Sequence, residues 1–290
     1  MPTYFSPAKI NLNLVIHEKI DTGYHLLSSI IVGLSFGDMI EINQINGSQD
    51  IIECNDQSVP IDHRNLISKA MLLLRERLDL KSHFLFKINK NIPCGAGYGG
   101  GSSNAITAVK AVLEITNLNI PKNELLDIAS KIGSDCAFFL NPKPSIMGGT
   151  GEIIHPIEKV LKDQLIGLEV LLYKPEFSIS TKFAYKRLTN NSYKDQLFFK
   201  NLLNDFSATN DYRKLIFNSF SKPILHKYIS LNILLSELNS KMIPSLISGS
   251  GSGCFSLLLG KNNNNARVFL KKKISDAFGP KAFIREAKIL

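Results

Sequence analysis

The sequence has few of the residues that build metal sites or disulfide frameworks. It contains four cysteines, and no two of them form a CxxC pair: Cys54, Cys94, Cys136 and Cys254. Its six histidines show no HExxH spacing. These spacings argue against a zinc site and against a disulfide scaffold, and they indicate reduced thiols in a cytosolic protein.

The sequence also lacks an apolar run of the roughly 18 residues that a membrane span requires. Its start, MPTYFSPAKINLNL, shows no basic segment followed by an apolar one, so we expect no secretory signal, a cytoplasmic location and no membrane association. The formal net charge of +9 favours anionic partners, which include nucleic acids and phosphorylated metabolites. The densest basic run, at 271–273, indicates a solvated helix face, and the absence of RNA-binding and zinc-finger patterns predicts no nucleic-acid partner.

Alternating apolar and polar residues predict strands at 8–16, 38–42 and 84–88, with a helix at 65–77 between them. A glycine cluster at 148–151 is the predicted boundary between two domains, 1–150 and 151–290. Beyond it, strands and helices alternate around a polar stretch rich in Asn, Asp and Lys. This order predicts an α+β fold whose second half carries a largely antiparallel sheet.

The most informative segment is IPCGAGYGGGSSNAITAV at 92–109, which holds five glycines within seven residues. Apolar residues recur at helical spacing after it, so we predict a helix whose N-cap is Ser102 or Ser103. A glycine-rich loop that leads into a helix N-terminus offers free N–H groups and the positive end of the helix dipole, which together bind phosphate. The alternative is a flexible turn, at the entropic cost of ordering five glycines.

Three common phosphate motifs fit this segment poorly. No Gly-Lys-Ser/Thr closes the loop, which excludes a Walker A motif. Gly95, Gly97 and Gly100 match the spacing of the dinucleotide fingerprint, but no strand ending in Asp or Glu follows about 20 residues on. The HRD and DFG segments of a protein kinase are absent as well.

The segment Pro93–Ala105 instead resembles the ATP-binding loop of the GHMP kinases, the superfamily of galactokinase, homoserine kinase and mevalonate kinase. Two further motifs strengthen the resemblance, PAKINL with GYH near the N-terminus and ISGSGSGC at 247–254. The resemblance covers essentially the whole chain. It implies a two-lobed GHMP kinase fold, with an N-terminal lobe like domain 2 of ribosomal protein S5, a ferredoxin-like C-terminal lobe and the active site between them.

The resemblance implies that the γ-phosphate of ATP is transferred to an alcohol, with Mg²⁺ as the second cofactor. The N-terminal motifs resemble the member that phosphorylates the 2-hydroxyl of a cytidine-diphosphate-linked methylerythritol in non-mevalonate isoprenoid synthesis. Two alternatives stay open, a homoserine or mevalonate type of kinase, and a non-catalytic basic binding protein on the same scaffold. The implied protein acts on a small molecule as a monomer or a homodimer.

The resemblance assigns ATP binding to the glycine-rich loop and the first turn of the helix, and a second phosphate loop to the third motif. A hydroxyl of this first turn is the candidate Mg²⁺ contact, from Ser102 or Ser103, because Mg²⁺ prefers oxygen ligands and keeps several waters. The ATP-binding candidates are Pro93, Gly95, Ala96, Gly97, Tyr98, Gly99, Gly100, Gly101, Ser102 and Ser103. The second loop comprises Gly249, Ser250 and Gly251.

Two residues are implied to be catalytic. Asp135 follows Gly133, the predicted left-handed end of a helix at 122–132, and it matches the proposed base of the family; its alternative role is an N-cap. Lys9 lies in the first predicted strand, where it could be an ordinary exposed lysine. The match to PAKINL instead places it beside Asp135, where it would keep the carboxylate ionised. Asn11 lies two residues on, on the same strand face, and is a candidate substrate contact.

The substrate base is implied to lie against Tyr24 and His25, by stacking on the tyrosine and by a hydrogen bond to the histidine. A second aromatic side chain would close the sandwich, and alignment after Pro175 nominates Tyr185. Phe177 and Phe183 are the alternatives.

The chain departs from the family pattern at several positions. Thr22 precedes Gly23 where an aspartate is usual, and the segment at 17–20 replaces a usual glycine and arginine. Tyr98 replaces a leucine inside the ATP loop, and Gly253 is an additional glycine in the third motif. These departures bear on substrate identity more than on ATP chemistry.

Overall fold

The computed structural model describes residues 2–21, 23–260 and 263–290, so the departure at Thr22 lies outside the described residues. Strands and helices are mixed along the whole chain, as predicted. The elements up to residue 142 are β1 (Thr3–Asn11), β2 (Asn13–Lys19), β3 (His25–Ile45), β4 (Ile51–Cys54), α1 (Leu66–Arg77), β5 (His83–Asn89), α2 (Gly100–Thr116), α3 (Lys122–Ile132) and α4 (Cys136–Phe139).

The remaining elements continue the mixture of short helices and strands. None of the described helices is both long and apolar enough to cross a membrane. These elements are β6 (Ser145–Gly148), β7 (Ile153–Pro156), α5 (Lys159–Leu165), β8 (Glu169–Lys174), α6 (Thr181–Lys186), a 3₁₀ turn (Asn190–Ser192), α7 (Gln196–Thr209), α8 (Tyr212–Leu215), β9 (Phe217–Asn218), α9 (Ser221–Leu225), α10 (Ile229–Ser240), β10 (Ser245–Ile247), β11 (Cys254–Leu258), α11 (Asn264–Phe278) and β12 (Phe283–Lys288).

The chain divides into two compact units that interleave along the sequence. The predicted division into domains 1–150 and 151–290 stays a prediction. Unit 1 holds the described residues up to Ala8, Gly37–Cys94 and Gly99–Pro142, and unit 2 holds Lys9–Phe36, Gly95–Tyr98 and Lys143–Leu290.

Unit 1 contains the C-terminal half of β3 and the helices α1 to α4. Its strand β5 pairs antiparallel with β3 and parallel with β4. Helix α1 begins one residue after the predicted start, because Asn65 is its cap and accepts a hydrogen bond from the Ile67 N–H. Its apolar stripe, which includes Ala70, Met71 and Leu74, is buried, and α1 packs on α2.

Unit 2 contains the predicted antiparallel sheet, with strand order β10-β11-β8-β12. Four consecutive residues of β8, from Val170 to Tyr173, are fully buried. Strand β8 is therefore covered on both faces, which explains its continuous apolar sequence. The N-terminal half of β3 pairs with β2 and β6, and β2 pairs in parallel with β9.

Two local predictions are wrong. Helix α2 begins at Gly100 with Gly99 as its N-cap at φ +73°, so neither Ser102 nor Ser103 caps it. Glycine reaches this left-handed conformation without steric cost, which lets the helix begin three or four residues earlier than predicted. Gly133 does end α3, but in an extended conformation with φ −179° instead of the predicted left-handed one.

Candidate active site

The first part of the glycine-rich loop, Gly95–Tyr98, touches the third motif inside unit 2. A Cβ placed on Gly97, whose φ is +75°, would lie 2.2 Å from the Ser248 carbonyl oxygen. Only glycine fits at this position. The Ser248 hydroxyl donates to the Gly97 carbonyl at 3.1 Å, and the Gly253 N–H donates to the Ala96 carbonyl at 3.1 Å. These contacts bring the two predicted phosphate loops together.

The third motif forms a tight loop built on positive φ values. Gly249 has φ +57° and Gly251 has φ +78°. The Asn218 amide holds this loop from β9 by donating to the Gly249 carbonyl at 2.8 Å, and the Ser250 hydroxyl lies 3.1 Å from that of Thr181. The loop is thus fixed by side chains from its flanks.

Lys9 and Asn11 lie beside both loops. Lys9 is only 3% exposed, so the interpretation as an ordinary surface lysine is wrong. Its ammonium donates to Asn11 Oδ1 at 2.7 Å, which confirms that the two side chains share a strand face. A Cβ placed on Gly249 would lie 3.7 Å from Lys9 Nζ, from Asn11 Oδ1 and from the Gly97 carbonyl. Unit 2 therefore gathers a buried cation and the glycines of both loops at one point.

Unit 1 carries the start of α2 and the predicted base. The Cys136 thiol lies 3.9 Å from the Ser102 carbonyl oxygen, and a Cβ on Gly133 would lie 3.9 Å from Ser102 Oγ. Asp135, between Gly133 and Cys136, therefore lies in a segment that packs against the first turn of α2. Asp135 occupies the N-cap position of α4, as the alternative interpretation has it, but among the described residues its side chain makes no capping hydrogen bond to that helix. Its action together with Lys9 stays a prediction.

The two serines in the first turn of α2 differ in their surroundings. Ser103 is fully buried, and its oxygen accepts a hydrogen bond from the Ser6 hydroxyl at 2.8 Å. Ser102 is half-buried, so its hydroxyl is nearer to solvent. Across the described residues, no cluster of three or more His, Cys, Asp or Glu side chains could hold a metal ion.

A buried ion pair that sequence reasoning missed supports the entry to the glycine loop. The Asp38 carboxylate accepts hydrogen bonds from the Lys90 ammonium at 2.5 Å and from the Asn91 and Ile92 N–H groups at 2.7 and 2.8 Å. It also accepts one from the Asn104 amide of α2 at 2.9 Å. In the sequence, Asp38 is a polar residue of a predicted alternating strand, and nothing in that pattern indicates an ion pair.

Aromatic rings surround His25, the candidate base-binding histidine. Its ring centroid lies 5.0 Å from that of Tyr185 and 5.6 Å from that of Tyr193, and Tyr193 stacks at an interplanar angle of 16°. Tyr24 is 66% exposed, so its ring is open to a ligand. Desolvation and, second, the charge of Lys19 hold the pKa of His25 below its ordinary value.

The ring contacts favour Tyr185 over its two alternatives as the second aromatic side chain. Phe177 stacks instead on Tyr228 at 4.7 Å, and Phe183 lies under the cationic side chain of Lys227. The role of Tyr185 in base binding stays a prediction. Tyr193 was missed because it lies in a polar stretch without periodicity.

Two departures from the family pattern prove to be linked. Tyr98 is buried and its hydroxyl lies within hydrogen-bond distance of the Tyr173 and Cys254 carbonyls, at 2.9 and 2.6 Å. A Cβ on Gly253 would lie 2.6 Å from Tyr98 Cζ and 2.3 Å from the Ala96 carbonyl oxygen. The additional glycine therefore makes room for the larger ring of the tyrosine.

Known proteins resemble this chain in sequence and in fold. A family model described as the GHMP kinases N terminal domain matches residues 65–149. A 4-diphosphocytidyl-2-C-methyl-D-erythritol kinase from Methylacidiphilum infernorum is 34% identical over 290 residues, which cover 99% of this chain and 96% of that protein.

Solved structures share the fold. A crystal structure of 4-(cytidine 5'-diphospho)-2C-methyl-D-erythritol kinase superposes with a TM-score of 0.78 at 22% identity, covering 99% of both chains. Homoserine kinase from Cytophaga hutchinsonii superposes with a TM-score of 0.74 at 15% identity, covering 99% of this chain and 94% of that one. With motifs, fold and a relative matched along nearly its whole length, the chain belongs to the GHMP kinase family.

Proposed function

We propose that this protein transfers the γ-phosphate of ATP to the 2-hydroxyl of 4-diphosphocytidyl-2-C-methyl-D-erythritol, a step of non-mevalonate isoprenoid synthesis. The observation that carries phosphoryl transfer is the buried Lys9 ammonium beside two loops of positive-φ glycines. The identity to relatives named as this kinase supports the acceptor. A homoserine or mevalonate type of kinase is disfavoured, because the relatives that match most of the chain are named as 4-diphosphocytidyl-2-C-methyl-D-erythritol kinases.

ATP phosphates are proposed to bind at the glycine loops. Phosphoryl transfer requires a positioned acceptor and neutralised charge, and little covalent chemistry from the protein. The loop glycines bring backbone N–H groups close to the phosphates, and the N-terminus of α2 adds its dipole. The third motif would contribute a second set of N–H groups from Gly249 and Ser250, whereas the Gly251 N–H donates to the Ser248 carbonyl at 2.9 Å and so shapes the loop.

Mg²⁺ is proposed as the second cofactor. Of the two serines in the first turn of α2, Ser102 fits this role better, because the Ser103 hydroxyl is buried against Ser6. Mg²⁺ is commonly held by few protein oxygens, waters and substrate phosphates, so the small number of carboxylates fits the group. When bound, the ion would neutralise charge on the ATP phosphates.

Lys9 and Asp135 are proposed to act on the acceptor hydroxyl. Asp135 would accept or orient the hydroxyl proton, and Lys9 would draw charge from the same oxygen. The hydrogen bond from Lys9 to Asn11 fixes the ammonium in place, so that little reorganisation is required on substrate binding.

The cytosine is proposed to bind against the ring cluster of unit 2. The exposed ring of Tyr24 offers a stacking face, His25 offers a hydrogen bond, and the Tyr185 ring lies 5.0 Å from that of His25. We also propose that the protein acts in the cytoplasm and takes a small molecule as its partner.

An ADP-release assay across a panel of alcohols tests the proposal. The cytidine substrate should be turned over, and homoserine and mevalonate should not. Lys9→Met and Asp135→Asn should each lower kcat by about 10²–10⁴-fold, the range for positioned acid–base groups. The exposed residues Lys122 and Asp163 provide matched controls, since Lys122→Met and Asp163→Asn should retain wild-type turnover. Equal turnover of acceptors with and without the cytidine would refute the assignment.

A further inference from the structure

Tyr193 makes two kinds of contact with His25 that no sequence pattern signals. Its ring stacks nearly parallel on the imidazole, and its hydroxyl lies 3.2 Å from His25 Nε2. The same residue lines a cavity of about 1170 Å³ beside the C-terminal end of β2. Tyr193 therefore contacts His25 and also borders this cavity.

The segment that carries Tyr193 is fixed on β2. The Lys194 N–H donates to the Ile16 carbonyl at 3.0 Å. The Lys194 carbonyl accepts a hydrogen bond from His17 Nδ1 at 2.6 Å, and His17 Nε2 bonds to the Ser28 hydroxyl at 2.9 Å. His17 belongs to the part of the sequence that departs from the family pattern. The departure thus supplies the anchor that holds Tyr193 against His25.

The hydrogen bond from Tyr193 determines where His25 carries its proton. In a neutral imidazole one nitrogen donates and the other accepts, and the partner of one nitrogen sets the tautomer. A phenol is a stronger donor than an imidazole N–H, so the chemistry of the two groups favours the arrangement in which the Tyr193 hydroxyl donates to Nε2 and the hydrogen resides on Nδ1. Desolvation and the nearby Lys19 lower the pKa of His25, which keeps the ring neutral near pH 7.

A histidine held with its hydrogen on Nδ1 presents a donor to a ligand. The ring nitrogen N3 is an acceptor in cytosine and a donor in uracil, so a fixed donor favours cytosine. We propose that Tyr193 is a positioning residue that fixes the Nδ1–H tautomer of His25 and so makes the base site select cytosine over uracil. The expected effect on turnover of the cytidine substrate rests on the proposed function. The tautomer of His25 depends only on its contact with Tyr193.

The test compares Tyr193→Phe with Tyr212→Phe. Tyr212 is the matched control because its hydroxyl also makes one hydrogen bond in unit 2, to the Gln164 carbonyl at 3.0 Å. Loss of one hydrogen bond should raise KM for the cytidine substrate about three- to tenfold in Tyr193→Phe. The preference for cytidine 5'-diphosphate over uridine 5'-diphosphate in calorimetric binding should fall by the same factor. KM for ATP and kcat should stay at the wild-type value, and Tyr212→Phe should change none of these.

Nitrogen-15 NMR of histidine-labelled protein gives a readout independent of turnover, with His25 assigned from the spectrum of His25→Asn. Wild type should show a protonated Nδ1 and an unprotonated Nε2, and Tyr193→Phe should show a mixture of tautomers. A protonated Nε2 in wild type, or a tautomer and a base preference that Tyr193→Phe leaves unchanged, overturns the inference. Failure of wild type to phosphorylate the cytidine substrate would refute the proposed function alone, because NMR and nucleotide binding still decide the role of Tyr193.

Discussion

Removing the Asp38 carboxylate should be among the most damaging single changes in unit 1. Asp38→Ala deletes the acceptor of four hydrogen bonds, from the Lys90 ammonium, two backbone N–H groups and the Asn104 amide. The side chains of Asp38 and Lys90 are 0% and 5% exposed, so water cannot replace the lost contacts without rearrangement. A buried ammonium then remains without its counter-charge.

The expected cost follows from this burial. Breaking a buried ion pair by removing one partner costs about 3–5 kcal/mol, most of it from the charge left behind. For a protein of this size that corresponds to a fall in Tm on the order of 10 °C. Lys90→Met should cost less, about 1–3 kcal/mol, because the carboxylate keeps its bonds to the Asn91, Ile92 and Asn104 groups.

Thermal and urea unfolding followed by far-ultraviolet circular dichroism measures both variants, since the chain has no tryptophan for fluorescence. A functional consequence should accompany the loss. A Cβ on Gly100 would lie 2.7 Å from Lys90 Nζ, so the ion pair borders the first residue of α2. KM for ATP should therefore rise in Asp38→Ala. A Tm within 2 °C of wild type, or a larger loss in Lys90→Met than in Asp38→Ala, would contradict this reasoning.

Three further expectations concern other parts of the chain. Gly253→Ala should lower Tm, because its Cβ would lie 2.6 Å from Tyr98 Cζ, and a thermal melt equal to that of wild type would show that the loop has room. Iodoacetamide at pH 8 should modify Cys136 and Cys254 slowly, because burial raises the pKa of both thiols, for Cys136 to about 12. Mass spectrometry after timed quenching measures the labelling, and prompt labelling of either cysteine would contradict this expectation. The free energy of unfolding should decrease as the pH falls below about 6.5, because His25 in the unfolded chain binds a proton that the folded His25, with its lowered pKa, does not yet bind. Urea titrations at several pH values measure this dependence. The dependence should be weaker in His25→Gln, and an unchanged dependence would exclude His25 as the cause.

Elements with a clear apolar period could be predicted from the sequence. Helix α1 follows from its apolar stripe, although its Asn65 cap was not predicted, and α3 has the predicted bounds. Helix α7 was missed, because the residues before it have a composition that is typical of a loop. Asp195 in that stretch caps the helix. The long strand β3 was only partly predicted, since most of its buried residues lie between 27 and 40 without strict alternation.

The glycine motifs of the candidate site could be predicted, because a close approach between backbone segments requires glycine and so produces a recognisable pattern in the sequence. Gly97 is such a position, where no side chain fits beside Ser248. Networks of polar side chains produce no such local pattern. Asp38, Lys90 and Tyr193 meet their partners across large distances along the chain, and each residue type is common on exposed surfaces, so local patterns could not identify them.

Phosphorus NMR of the reaction product tests the central claim most directly. Purified protein is incubated with ATP, Mg²⁺ and 4-diphosphocytidyl-2-C-methyl-D-erythritol, beside Lys9→Met under the same conditions. Wild type should form one new phosphomonoester on the 2-hydroxyl for each ADP released, and Lys9→Met should form almost none. ATP consumption without a phosphomonoester, no reaction at all, or full activity in Lys9→Met would contradict a phosphoryl-transfer site built on Lys9 and the glycine loops.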